Sequence, residues 1–306
     1  MGAVVLGAGV SAPARASAAV PAVPVPSVLD FGAKGDGVTD DTAAVNAALA
    51  RGGLVYFPAG TYLVARLTAG VAGTWLRGDG PSTVLRKNAS GPVLTLNGSR
   101  VRVSDLTVDG NGGAFGGTGI VSVGVFPHIT GVEVRDTLGS ALVFPGSGAG
   151  HSGIVSDCIL QVWQGQLGQA NANTAAVSLP DDNQPTVQAS NRQFTNLQTN
   201  ACLLFTDAGS QNTKWVACTG RNFVIAGTPA KLLMSSCRLA TSGVATAIQG
   251  VQCAFSGNAF AGNVTLKATF STFMGNVIAG SLTIMPAATG TVVGANSGTA
   301  TTDLRR

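Results

Sequence analysis

From about residue 93 the chain repeats one short pattern, an apolar-x-apolar core followed by a small or polar turn. The segments read DLTVDGN (105–111), GVEVRDT (131–137), DCILQVW (157–163), NRQFTNL (191–197), ACTGRN (217–222), SCRLAT (236–241), QCAFSGN (252–258) and STFMGN (271–276). With Val108 as anchor, the matching positions are Val134, Leu160, Phe194, Gly220, Leu239, Phe255 and Phe273. Short strands separated by Gly and Asn turns at such an interval indicate a solenoid, in which each coil buries its apolar face only against its neighbours. The units are rich in Gly, Thr and Val and poor in Glu, Lys and Leu, which argues against a helical solenoid. The pattern therefore predicts an all-β, single-stranded parallel β-helix. Cys158, Cys237 and Cys253 share the place of Leu106 in this alignment and are expected inside the coil as inert core thiols. The Gly-Asn pairs at 257–258 and 275–276 fall at one turn, where Asn tolerates a left-handed backbone and its side chain can bond along the stack.

Residues 28–64 follow a different pattern. An extended apolar start runs into the turn Gly35-Asp36-Gly37, and Thr39, Asp40 and Asp41 place capping oxygens before AAVNAALA, a short helix ended by Gly52 and Gly53. LVYF and TYLV follow as two strands around Pro58-Ala59-Gly60. This stretch resembles the N-terminal segment of the pectate lyase superfamily, the right-handed parallel β-helices of polysaccharide lyases, polygalacturonases and phage tailspikes. The resemblance implies a right-handed coil sealed at its N-terminal end by a capping helix. It implies no chemistry in the segment itself, because in that superfamily the segment closes the coil. The expected organisation is a leader or anchoring arm over 1–27, the opening segment with its helix over 28–70, and the β-helix over 71–306, with long loops between 110 and 190.

Composition narrows the partners. Forty-two Gly and 10% charged residues suit a stacked, turn-rich β architecture. The net charge of +4 is dispersed and forms no basic stripe interleaved with aromatics, so no nucleic acid is expected. No run of about 20 apolar residues is free of breakers, so no membrane span is expected. Five scattered cysteines without a CxxC argue against a metal site or a dense disulfide framework. Residues 1–18 look like a secretory leader with two A-x-A sites; uncleaved, residues 1–27 become an arm able to attach to virion proteins. VVLGAGVSA near the start fits a dinucleotide fingerprint, but the prolines after it leave no helix for a cofactor.

Alternation within strands supplies the candidate chemistry. With Leu106 and Val108 inside, Thr107 and Asp109 point out, and Glu133 and Arg135 take the same places on the next coil. Asp109, Glu133 and Arg135 are expected to form one exposed cluster, with Asp136 at the turn beside it. Two carboxylates could serve glycoside hydrolysis. By resemblance to pectate-lyase-like enzymes, Asp109 and Asp136 could hold Ca²⁺ while Arg135 acts as base; the reading requires no cofactor. An ordinary cross-coil ion pair between Asp109 and Arg135 explains the same residues. Trp163 opens the long insertion and suits either stacking on a sugar or packing at a strand end; Asp181 and Asp182 in the same insertion read either as a catalytic or Ca²⁺-binding pair reaching over a groove or as a solvated turn. His151 in GAGHSG is similar to the Gly-His-Gly element of polygalacturonases, but the other elements are missing and His151 reads as a loop residue; His128 is expected in a turn. These features lead to an extracellular protein that binds and cleaves a polysaccharide, either secreted or displayed as a homotrimeric tailspike-like protein. The alternative is a non-catalytic glycan-binding or structural spike, since only eight acidic residues lie between 100 and 300.

Overall fold

The computed structural model describes residues 25–145, 152–163, 177–179, 192–199, 202–206, 212–220, 222–225, 231–239 and 246–305. They wind into a right-handed parallel β-solenoid of about nine coils. Strand register fixes the vertical neighbours: residues 102–104 lie under 128–130, which lie under Gly153–Ser156, Arg192–Thr195 and Lys214–Val216 in turn. A single residue then turns each coil onto a second wall. Asp105, Gly131, Asp157, Asn196, Ala217, Ser236, Gly257, Gly275 and Ala295 hold this corner with φ between 50° and 64°. The second wall runs through 106–109, 132–134, Ile159–Val162 and on to Ala259–Phe260. The third carries Leu67–Ala69, Leu94–Leu96, Ile120–Ser122 and Leu142–Val143.

The bore is filled by every second residue of each wall, as pleating demands. Val103, Ile129, Val155, Phe194, Trp215, Met234, Phe255 and Phe273 line the first wall; Val108, Val134, Leu160, Leu239 and Phe260 line the second. Phe194, Phe255 and Phe273 are thus not equivalents of Val108 but sit one wall earlier. Both walls read as apolar-x-apolar before a tight corner, so pattern alone could not separate them. The thiols divide in the same way. Cys158, Cys218 and Cys237 follow the first corner, in the place of Leu106, whereas Cys253 follows a second left-handed corner at Gln252, level with Leu232 and Ser271. All four are buried.

At the Gly-Asn turns it is Gly257 and Gly275 that adopt positive φ, and the Asn side chains turn inward. Asn276 Oδ1 accepts from the Asn258 backbone and side-chain amides, both at 3.0 Å, and Asn296 Oδ1 accepts from Asn276 in the same way. Asn258 and Asn276 are fully buried, so this ladder satisfies backbone groups that the corner leaves unpaired.

The helix Thr42–Arg51 packs Val45, Ala48 and Leu49 over the N-terminal end of the bore. Its capping differs in detail from expectation. Asp40, rather than Asp41, accepts from the Thr42 amide, while buried Asp41 holds the preceding loop through the Lys34 and Gly35 amides at 2.7 and 3.0 Å. Residues Val28–Phe31 form a 3-10 turn capped by Ser27, not an extended strand, because Asp30 bonds back to the Ser27 amide. His128 starts the strand His128–Thr137 instead of lying in a turn.

Candidate functional site

The second wall brings Asp109, Glu133 and Arg135 together in the anticipated register. Arg135 stands opposite Asp109, and Glu133 stands opposite Thr107. An Arg135 guanidinium nitrogen lies 3.5 Å from Asp109 Oδ2, and the Thr107 hydroxyl lies 3.5 Å from Glu133 Oε2. The cluster is less open than alternation alone implies. Asp109 is 7% exposed and Thr107 is fully buried. Thr107 is covered because the short helix Gly80–Ser82 crosses it, and its hydroxyl also donates to the Pro81 carbonyl. Asp109 is covered because Asn111 folds back, its amide donating to Asp109 Oδ1 at 2.9 Å. Glu133 and Arg135 are half-buried and Asp136 is exposed at a left-handed position.

Local sequence explains this shape. Asn111 is itself left-handed, and a side chain at Gly110 or Gly112 would meet the Asp136 carbonyl oxygen at 2.6 Å, so only glycine lets the chain pass this closely. The same passage sets Trp163 beside the cluster. Its amide donates to the Thr137 carbonyl, and its indole base lies about where a Gly112 side chain would project. The indole remains 37% exposed. One participant was not anticipated. Arg86 stands opposite Asp109 on the preceding coil and donates to Asn111 Oδ1 at 3.5 Å, so arginines occupy the register positions on both sides of Asp109, Arg135 bonding its carboxylate and Arg86 the adjoining Asn111. Alternation in TVLRK would have revealed it had the repeat been followed one coil earlier.

His151, Asp181 and Asp182 lie outside the described residues, as do residues 1–24. For Ca²⁺ the donor set is poor: Asp109 already faces Arg135, and among the described residues no three His, Cys, Asp or Glu side chains converge. A cation that takes about six to eight oxygens does not suit that arrangement. The third wall presents Thr68, Thr95, Val121 and Val143 outward, without an ionisable group among these positions.

A family profile described as rhamnogalacturonase A/epimerase, pectate lyase-like, matches residues 25–121. That match includes Arg86 and Asp109 and stops before Glu133. Among curated proteins, alginate lyase 7 of Azotobacter vinelandii is 37% identical over 107 residues, covering 28% of this chain and 12% of that protein. Mannuronan C5-epimerase AlgE3 of the same organism is 40% identical over 108 residues, covering 28% of this chain and 6% of the epimerase. The chain thus spans a small part of these relatives. Among solved structures, PfbA, a surface adhesin of Streptococcus pneumoniae, superposes with a TM-score of 0.63 at 17% identity, covering 91% of this chain and 92% of the other. The A-module of mannuronan C-5 epimerase AlgE6 from A. vinelandii gives 0.57 at 16% identity, covering 91% and 97%.

Proposed function

We propose that this chain, which belongs to the pectate lyase-like parallel β-helix superfamily, acts outside the cell on a polysaccharide that it binds and cleaves at the Asp109 cluster. The observation that carries the reading is the stacking of Arg86, Asp109 and Arg135 beside Glu133, with a partly exposed indole at the same edge. The names of the relatives, alginate lyase and mannuronan epimerase, support a glycan as the target. In this scheme Trp163 stacks on a sugar face. Arg135, steadied by Asp109, neutralises charge on the substrate, and Glu133 serves as the proton acceptor or donor, with Asp136 as second carboxylate. Extracellular display, a homotrimer and attachment through residues 1–27 belong to the same proposal. The test is to incubate the protein with alginate, polygalacturonate and neutral glycans and to follow reducing ends and unsaturated products. Glu133→Gln is expected to lower turnover at least about 100-fold with an unchanged melting temperature; full activity in that variant would remove the site.

A second reading has its own support. Both Asp109 oxygens already accept hydrogen bonds within the protein, from Asn111 and Arg135. A carboxylate so engaged holds a loop well and reacts poorly, which favours a glycan-binding spike without turnover. Under this reading Trp163→Ala weakens glycan retention on an affinity gel while no product forms from any glycan offered.

A further inference from the structure

Round the corner from the cluster, the first wall holds a cleft of about 490 Å³ with a different chemistry. Its floor is a vertical row in strict register: Arg102 opposite His128, His128 opposite Ile154, and Ile154 opposite Gln193. Its rim is the second left-handed corner, where Arg100 and Phe126 occur on successive coils, the guanidinium lying 5.6 Å from the ring centroid. The Phe126 ring is 50% exposed and Arg100 and Arg102 face solvent or the cleft. Among the described residues no carboxylate lines the cleft, and neither arginine forms an ion pair. Two guanidinium groups and an imidazole therefore line one cleft beside an exposed aromatic face, with no carboxylate among the described residues paired to them.

We propose that this cleft is a second glycan subsite, one that binds a sugar residue carrying an anionic group, separate from the cluster on the second wall. Arginine pairs bidentately with planar or tetrahedral oxyanions, and an exposed ring covers the apolar face of a pyranose. The row extends in both directions, from Trp75 below Arg102 to Lys214 above Gln193. Vertical neighbours are about 4.8 Å apart, close to the length of one pyranose residue. A chain lying parallel to the solenoid axis thus meets one donor or ring per sugar: Trp75, Arg102, His128, then Gln193 and Lys214 past the apolar Ile154. The inference rests on the glycan reading above and adds the charge of the substrate and the wall it occupies.

Calorimetric titration of the full chain with polygalacturonate, dextran sulfate and neutral dextran tests it. Arg102→Ser is expected to weaken binding of the acidic polymers roughly ten- to hundredfold, with Phe126→Ala weakening it as well. Lys267→Ser, which removes one exposed positive charge elsewhere, is expected to leave affinity unchanged. Circular dichroism melts of all variants exclude unfolding as the cause. Preference for polygalacturonate identifies a carboxylate as the ligand group, and preference for dextran sulfate a sulfate; either outcome supports the subsite. Binding of acidic polymer that survives Arg102→Ser and Phe126→Ala but is lost in Trp163→Ala overturns the cleft and leaves the glycan reading standing. Equal binding of neutral dextran overturns the requirement for charge. Wild-type protein that binds none of the three overturns the cleft and counts against the broader reading as well.

Discussion

Lys87 sits in surroundings that its chemistry disfavours. Its side chain points into the bore and is 1% exposed, and its Nζ donates to the Gly116 and Thr118 carbonyls, both at 3.3 Å. Burial without a carboxylate partner pushes its pKa down to about 8 from the ordinary 10.5. The folded chain therefore releases this proton earlier than the unfolded chain. Between about pH 8 and 10.5 the unfolded state binds more protons, so stability rises with pH across that window. The cost of burying the cation is fully present below pH 8 and is relieved above 10.5. Relative to Lys87→Met, which cannot titrate, the wild type is expected to gain about 3 kcal/mol on going from pH 7 to above 10.5. Denaturant melts of both proteins across that range measure it, and parallel curves would show that the lysine stays charged.

Among elements, the asparagine ladder binds the last coils to each other. Removing the Asn276 side chain strips acceptors from the Asn258 amides and a donor, at 3.1 Å, from the Phe255 carbonyl. Each buried group left without a partner costs about 1–3 kcal/mol. Asn276→Ala is therefore expected to destabilise the protein by about 2–4 kcal/mol, read as a lower urea midpoint. Asn276→Asp keeps the acceptor but places a charge at a fully buried position, and is expected to cost at least as much. A loss below about 0.5 kcal/mol for the alanine variant would mean that water replaces the ladder. The ladder also explains why Gly is followed by Asn at 257–258 and 275–276. Gly supplies the left-handed backbone, and Asn supplies the bond to the next coil.

For the whole molecule, a solenoid buries its core only between neighbouring coils. The interior thiols among the described residues are accordingly shielded. Cys158, Cys218, Cys237 and Cys253 are each at most 2% exposed. Burial pushes the Cys158 thiol up to about 12, and the adjacent Cys237 together with burial raises Cys218. Burial also raises Cys253, whereas the hydrogen bond with Cys218 lowers Cys237, so that thiol is protected by exclusion of the reagent alone. Since the thiolate is the reactive form and none of the four is open to reagent, these cysteines are expected to resist iodoacetamide in the native protein and to react fully in denaturant. Peptide mass spectrometry identifies each site, and rapid native labelling of Cys158 would mean that the coil opens locally around it.

The chain's own pattern was enough for the coil, a capping helix near 40–50, observed over Thr42–Arg51, and the register that sets Arg135 over Asp109. All of these follow from local signals: alternation of period two, Gly and Asn at corners, and equal spacing between two neighbouring repeats. The assignment of Phe194 or Cys253 to a particular wall was not legible, because two successive walls carry the same short motif. Nor was the closure of the cluster. Whether an outward side chain meets water depends on what folds over it: Pro81, from the preceding coil, covers Thr107, and the tight turn at Asn111 covers Asp109. The arginine and histidine cleft belongs to the same class. Arg102, His128 and Gln193 are far apart along the chain, and only the winding of one coil onto the next makes them neighbours.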